Sequence, residues 1–185
     1  MKLEQQLAKL AELGFRLNNN VSVDDLLYSF DREAYEETPF DLILFALGME
    51  VEQGAPGRNV CSRVWNFDSE CIYESGNYTE IVQRLCEVAG SPNALTEIAD
   101  HVNHDVQDGW LQYKLNGTMR HWKLEINDAL ADVQTLSHVV KDLETDGHRF
   151  FFKDNGQALV LFFLDDKTAA ALNALTHDAL KPLLA

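Results

Sequence analysis

Residues 110–126, WLQYKLNGTMRHWKLEI, constrain this chain more than any other segment. Two alternating arms meet at Asn116-Gly117, and Asn-Gly suits a two-residue type I′ turn because both central residues need positive φ. Closing the hairpin there sets Leu115 opposite Thr118, Tyr113 opposite Arg120 and Leu111 opposite Trp122. One face then carries Leu111, Tyr113, Leu115, Trp122, Leu124 and Ile126. The other carries Gln112, Lys114, His121, Lys123 and Glu125, with Trp110 and Met119 out of pattern. A slip of one residue would move the apolar set into water, so the alternation specifies the register. The hairpin reads as a rigid frame for its neighbours.

Downstream, Asn127-Asp128 predicts the cap of a helix carrying Leu130, Val133, Leu136, Val139, Val140 and Leu143, stopped by Asp146-Gly147. A second hairpin is expected over residues 149–153 and 157–164, turning at Asp154-Asn155-Gly156. Its return arm, ALVLFFL, is apolar on both faces and belongs in the middle of a sheet. It must be covered on both sides, by the chain's own helices or by a second copy in a homodimer. Asp165-Asp166 caps a last helix over residues 168–175, before a ragged C-terminus. From Trp110 the order is β-β-α-β-β-α.

The first half reads as helix-rich. Leu3, Leu7, Leu10 and Leu13 lie at helical spacing, with Gly14 as the stop. Ser22, with Asp25 three residues on, caps a helix over 23–30. Thr38 caps another that begins at Pro39 and runs through Ile43, Leu44 and Leu47 to Gly48. Residues 53–59, including Gly54-Ala55-Pro56-Gly57, form a loop. A strand at 60–67 turns at Asp68-Ser69 into a short strand at 70–73, and a helix follows over 78–89. Residues 95–106 fit a helix by spacing, but their place before a hairpin suits a strand, and strand is the reading taken. The expected class is α+β: an antiparallel sheet of successive hairpins packed against helices. Gly90-Ser91-Pro92 marks a boundary between a 1–90 helix-rich subdomain and a 91–185 hairpin subdomain, within one compact structural unit.

Charge narrows the function. The chain has 30 acidic and 15 basic residues, a net −15, which argues against nucleic acid and anionic membranes as partners. Residues 18–57 hold nine acids and one base, a net −8 and more than half of the total. The three cysteines, Cys61, Cys71 and Cys86, form no CxxC pair, which points to a reducing cytoplasm rather than a disulfide or zinc framework. The N-terminal MKLEQQLAKLAELGF lacks the apolar core of a signal peptide, and no run is long enough to span a membrane.

Candidate chemistry is sparse. His101 and His104, three apart beside Asp105, would share a helix face as the start of a metal site but diverge on a strand. Asp68 and Glu70, flanked by aromatics in WNFDSE, are a carboxylate pair of the kind a hydrolase uses, or two solvated acids at a strand end. His121 lies on the polar hairpin face without a nucleophile partner. No phosphate-binding glycine motif occurs, and no cofactor is implied. The acidic block is more informative, because Tyr28, Tyr35 and Phe40 are interleaved with its carboxylates. Rings that anchor and charges that steer are the makings of a surface for a basic partner.

The segments VWNFDSECIYESGNYTEIVQRL and WLQYKLNGTMRHWKLEIND, followed by a second hairpin and helix, resemble a family of small bacterial immunity proteins encoded beside polymorphic or contact-delivered toxins. The likeness spans roughly residues 14–175 and rests on W-x-F-D-x-E, the G-x-Y helix start and the N-G hairpin ending in Ile126-Asn127-Asp128. Where members often continue with an acidic residue and Trp, this chain has Asp128-Ala129-Leu130. The resemblance implies a non-catalytic inhibitor of a cognate protein toxin. With the charge, it leads us to expect a basic toxin, nucleases among the candidates. The expected contact residues are Asp31, Glu33, Tyr35, Glu36 and Glu37, with Asp68 and Glu70. The competing expectations are a small hydrolase using Asp68/Glu70 or His101/His104, and an acidic adaptor.

Overall fold

The two hairpins enter two different sheets. The structure, a computed structural model, describes every residue except Ala55, Asp146, Gln157 and Ala185. Parts of the expected 54–57 turn, the Asp146-Gly147 helix stop and the start of the 157–164 arm therefore lie outside the described residues. Among those described, the elements run α1 (Leu3–Glu12), α2 (Val23–Ser29), α3 (Arg32–Glu37), α4 (Asp41–Leu47), β1 (Val64–Phe67) and α5 (Asn77–Val88). They continue β2 (Leu95–Asn103), β3 (Asp108–Leu115), β4 (Thr118–Lys123), α6 (Val133–Leu143), β5 (His148–Asp154), β6 (Leu159–Asp165), α7 (Asp166–Thr176) and β7 (Leu180–Pro182). The class is α+β, with helices gathered at the N-terminus and hairpin-rich strands toward the C-terminus. The single expected sheet is replaced by two, ordered β1-β6-β5-β7 and β2-β3-β4.

The chain divides into two compact units, Met1–Phe67 with Phe150–Leu183, and Asp68–Arg149 with Leu184–Ala185. These do not follow the expected 1–90/91–185 split. Gly90-Ser91-Pro92 lies inside the second unit, because α5 packs on β2 just beyond it. Residues 150–183 in turn supply β6, which pairs with β1, and β7 with most of β5 further along the same sheet.

In the second unit the Asn-Gly hairpin forms in the expected register, with Leu111↔Trp122, Tyr113↔Arg120 and Leu115↔Thr118 paired. Asn116 and Gly117 take φ of 50° and 79°, the left-handed pair a type I′ turn requires. Leu111 and Tyr113 are fully buried. β2 joins the far side of β3, as the strand reading of residues 95–106 anticipated, with an irregularity between Thr96 and Ala99. The N-cap position of α5 is Gly76 (φ 106°), which has no side chain to cap the helix. Asp100 on β2 does so instead, accepting from the Gly76 amide at 2.7 Å, the Thr79 amide at 3.0 Å and the Thr79 hydroxyl at 2.5 Å.

The helix expected from Asn127-Asp128 starts later, at Val133. Asp128 takes a left-handed φ of 47° and Leu130 bridges back to Asn127, which closes a turn rather than opening a helix. Leu130 and Val133, assigned to the buried stripe, are exposed, whereas Leu136, Val139, Val140 and Leu143 are buried. The cap is Asp132. Its carboxylate accepts from the Gln134 and Thr135 amides, the Glu125 amide and the Thr135 hydroxyl, while its own amide donates to Tyr78 Oη at 2.7 Å. One residue thus joins the hairpin's exit, the start of α6 and the face of α5.

In the first unit, β6 is buried along Val160–Leu164 and sits between β1 and β5, as its two apolar faces required. Val160, Phe162 and Leu164 join the cluster built by the N-terminal helices, with Phe162 edge-on to Phe15 at 5.6 Å. Leu161 and Phe163, on the opposite face, are also buried. The strand is covered within one chain, so it supplies no reason for a second copy. The expected 60–73 hairpin does not form. β1 begins only at Val64 and pairs with β6 across a long sequence gap. Beyond it Asp68 Oδ1 accepts from the Glu70 amide at 2.8 Å, and this local turn replaces a second strand. Asp165 caps α7 through the Thr168 amide at 2.6 Å, as expected. β7 was not anticipated.

Asp132 makes a direct stability prediction. Burial pushes its carboxyl up, but the Glu125 and Thr135 amides and the Thr135 hydroxyl outweigh burial and hold it below the usual carboxylate range. A depressed folded pKa stabilises above the unfolded value, and that contribution is lost as pH falls through the folded one. Asp132→Ala is expected to cost about 1–2 kcal/mol in urea unfolding at neutral pH, the range of a lost N-cap. The gap between wild type and variant should close on acidification. An unchanged midpoint would show that other groups satisfy these donors.

Candidate functional site: an acidic helical surface

The acidic block folds as three short helices, α2, α3 and α4, and α3 was not anticipated. A six-residue helix is marginal alone and needs outside support. Tyr35 supplies part of it: the ring is fully buried beside Phe30, and the hydroxyl donates to the Leu26 carbonyl at 2.9 Å. Burial pushes its phenol up to about 12. Gln6, fully buried on α1, supplies more. Its amide nitrogen donates to the Tyr35 and Met1 carbonyls at 2.7 and 3.0 Å, and its oxygen accepts from the Phe40 amide at 2.7 Å. That last bond holds Phe40 at a left-handed φ of 69°, and this delays α4 to Asp41 instead of the expected Pro39.

Glu36 faces the start of α1. It accepts from Lys2 Nζ at 2.9 Å and the Leu3 amide at 3.2 Å. The hydrogen bond from Lys2 is the largest influence holding its carboxyl below the usual range. Arg32 bonds Glu4 at 2.7 Å and lies 3.8 Å from Glu36. Asp25 is likewise engaged, by the Ser22 amide and hydroxyl and by Arg58 at 3.2 Å. Asp41 meets the buried Lys153 at 2.8 Å.

The five expected contact residues therefore divide. Tyr35 belongs to the core and cannot touch a partner, and Glu36 ties α3 to α1. Asp31, Glu33 and Glu37 are exposed and form no ion pair among the described residues. Two further residues join them on α2: Asp24, exposed, and Tyr28, whose surface is 56% exposed. Four residues apart on one helix, these two share a face. The ring available to a partner is thus Tyr28. Only burial separates it from Tyr35, and sequence spacing could not.

The other expected residues are not assembled into a site. Asp68 and Glu70 are exposed, and Asp68 Oδ1 is occupied by its own turn, so the pair is not enclosed as the two acids of a hydrolase's cleft are. His101 is on β2 and His104 in the turn after it, so the shared helix face does not exist. Among the described residues no group of three His, Cys, Asp or Glu side chains could hold a metal ion. Cys71 is pushed up by burial and then by the Asp68 charge, the opposite of an activated thiol.

Sequence reasoning missed one concave feature. An open cleft of about 610 Å³ in the second unit is lined by residues including Trp122, Lys123, Ile126, Asp132 and His138. The His138 ring stacks on Trp122 at 4.0 Å and 5°. Trp122 Nε1 donates to Tyr113 Oη, which donates to Asp142. Of the cleft's two acids, Asp132 is saturated by the donors described above, and Glu125 is exposed at the rim.

No family model, curated protein or solved structure matches the chain. No helix among the described residues is long and apolar enough to cross a membrane.

The surface depends on Gln6. Gln6→Leu keeps the volume but strands the Phe40 amide and the Tyr35 carbonyl in the interior. The expected loss is about 2–6 kcal/mol, the sum of two buried unsatisfied groups. Amide exchange at α3 should accelerate more than at α7. Equal acceleration at both would show that Gln6 supports the unit generally and not α3 in particular.

Proposed function

We propose that this chain is a non-catalytic immunity protein that binds and neutralises a basic bacterial toxin in the cytoplasm. The observation that carries the reading is the set of exposed carboxylates Asp24, Asp31, Glu33 and Glu37 around the exposed ring of Tyr28. The resemblance drawn from the W-x-F-D-x-E and N-G hairpin segments supports it.

The physical argument is electrostatic. A toxin that acts on phosphates needs a basic cleft, and an acidic surface accelerates encounter with it and can occupy the phosphate positions. Carboxylates already bonded within the fold, such as Glu36 and Asp25, contribute to the field but have little freedom to re-pair. Asp31, Glu33 and Glu37 have that freedom. Inhibition is stoichiometric, and association slows as salt screens the charges. The hydrolase reading through Asp68/Glu70 or His101/His104 draws no support from the geometry.

The test is capture of the product of the adjacent gene by the purified chain. The triple variant Asp31→Lys, Glu33→Lys, Glu37→Lys is expected to keep its far-UV circular dichroism and to bind at least about a hundredfold more weakly, mostly through slower association. Tyr28→Ala should raise the dissociation rate. A neighbour that is no toxin, or a triple variant that binds as tightly as wild type, would overturn the reading. Capture of a non-toxic neighbour would favour the acidic adaptor.

A further inference from the structure

β4 is an edge strand: the order β2-β3-β4 leaves its outer side without a neighbour. The hairpin register fixes which backbone groups face outward. A two-residue turn makes Leu115↔Thr118 a hydrogen-bonded pair, and such pairs recur at every second residue. The Leu124 amide, donating to the Gly109 carbonyl at 3.0 Å, continues that series. Met119, His121 and Lys123 fall between, so their N–H and C=O groups point away from β3. None of these groups has a protein partner among the described residues. All three side chains are exposed, Met119 by 43%.

Edge strands are usually blunted by proline, a bulge, a covering element or charge. Here the register to β3 is unbroken, no proline is present, and only Arg120 and Lys123 offer protection. Those two charges do not oppose each other in every pairing. If a second β4 lies antiparallel with His121 opposite His121, Met119 faces Lys123 and Arg120 faces Trp122 of the other copy. Each cation then meets an apolar or aromatic side chain rather than another cation, and Arg120 keeps its ion pair with Asp142 at 3.7 Å. His121 and the Met119–Lys123 positions become hydrogen-bonded pairs, which uses the outward groups.

Net charge opposes this place least. Two copies at −15 repel, and least where uncompensated acids are fewest. Residues 110–123 contain no Asp or Glu; Lys114 pairs with Glu97 at 2.5 Å, Arg120 lies 3.7 Å from Asp142, and Lys123 adds an exposed cation. We infer that two copies of this chain associate through β4, about a two-fold axis at His121, joining their three-stranded sheets into one of six. The contact is isologous, so it closes at a dimer.

The experiment measures mass in solution by light scattering, together with crosslinking. Wild type is expected at twice 20.9 kDa. His121→Pro removes an amide that β3 does not use, a position where an edge strand tolerates proline, and is expected at the monomer mass with unchanged circular dichroism. In a separate arm, His121→Cys should form a disulfide-linked dimer on mild oxidation, since Cα atoms of a hydrogen-bonded pair lie about 5.5 Å apart, within disulfide reach. The parent, whose three cysteines are outside any disulfide, is the control. A wild-type monomer, a dimer that survives His121→Pro, or a Cys variant that crosslinks no faster than the parent would each overturn the proposal. If His121→Pro unfolds, the crosslink decides alone.

Discussion

Short helices set the terms for this fold. The seven helices among the described residues run from six to twelve residues, and each leaves several amide groups at its start without an internal partner. In a helix of six or seven residues those orphan groups are a large share of the backbone. They must be met from outside, and the chain meets them mostly with carboxylates and one carboxamide. Asp132 and Asp165 cap their own helices, and Ser22 and Asp25 cap α2 reciprocally. Asp100 caps α5 from a neighbouring strand, Glu36 reaches the start of α1 from α3, and Gln6 holds the turn into α4 from α1. Each of the last three is a tertiary contact and a cap at once. Removing one therefore loosens an element and a junction together.

This division of labour changes how the charge should be read. A net −15 suggests a uniformly acidic surface, yet many acids are committed. Asp25, Glu36, Asp100 and Asp132 accept backbone amides, and burial, cations or further donors accompany them. Asp24, Asp31, Glu33 and Glu37, on α2 and α3 or beside them, are among those that stay exposed. The hairpin 110–123 runs against the average, with three cations and no acid of its own, and two of those cations, Lys114 and Arg120, are met by Glu97 and Asp142. Charge in each unit is thus largely set by which acids the fold engages and which it leaves in water.

The legible part of the fold was the part carried by local chemistry. Asn116-Gly117 with its flanking alternation gave an exact register, since turn geometry and face pattern are both local. The apolar run of β6 and the Asp165 cap were legible for the same reason. Reading failed where a distant residue overrode local signals. Thr38-Pro39 is a sound helix start in isolation, but Gln6 draws Phe40 into a left-handed conformation and moves the start. Asn127-Asp128 offers cap chemistry, but Asp132 can also reach Glu125 and Tyr78, so it takes the role. The sheet partner of β1 lies nearly a hundred residues away, and no local pattern announces that.

The acidic surface shows the same limit in a functional form. Tyr28 and Tyr35 sit in similar acidic surroundings, and both are spaced as an anchor would be. The deciding fact is that the Tyr35 hydroxyl finds the Leu26 carbonyl inside the core while Tyr28 faces water. An aromatic can either build a short helix's inner face or anchor a partner, and a six-residue helix cannot spare its only large ring for the second task. α3 therefore had to bury Tyr35 to exist at all, and Asp31, Glu33 and Glu37 reach solvent because it did. The exposed acidic surface and the core of the first unit are two faces of one constraint.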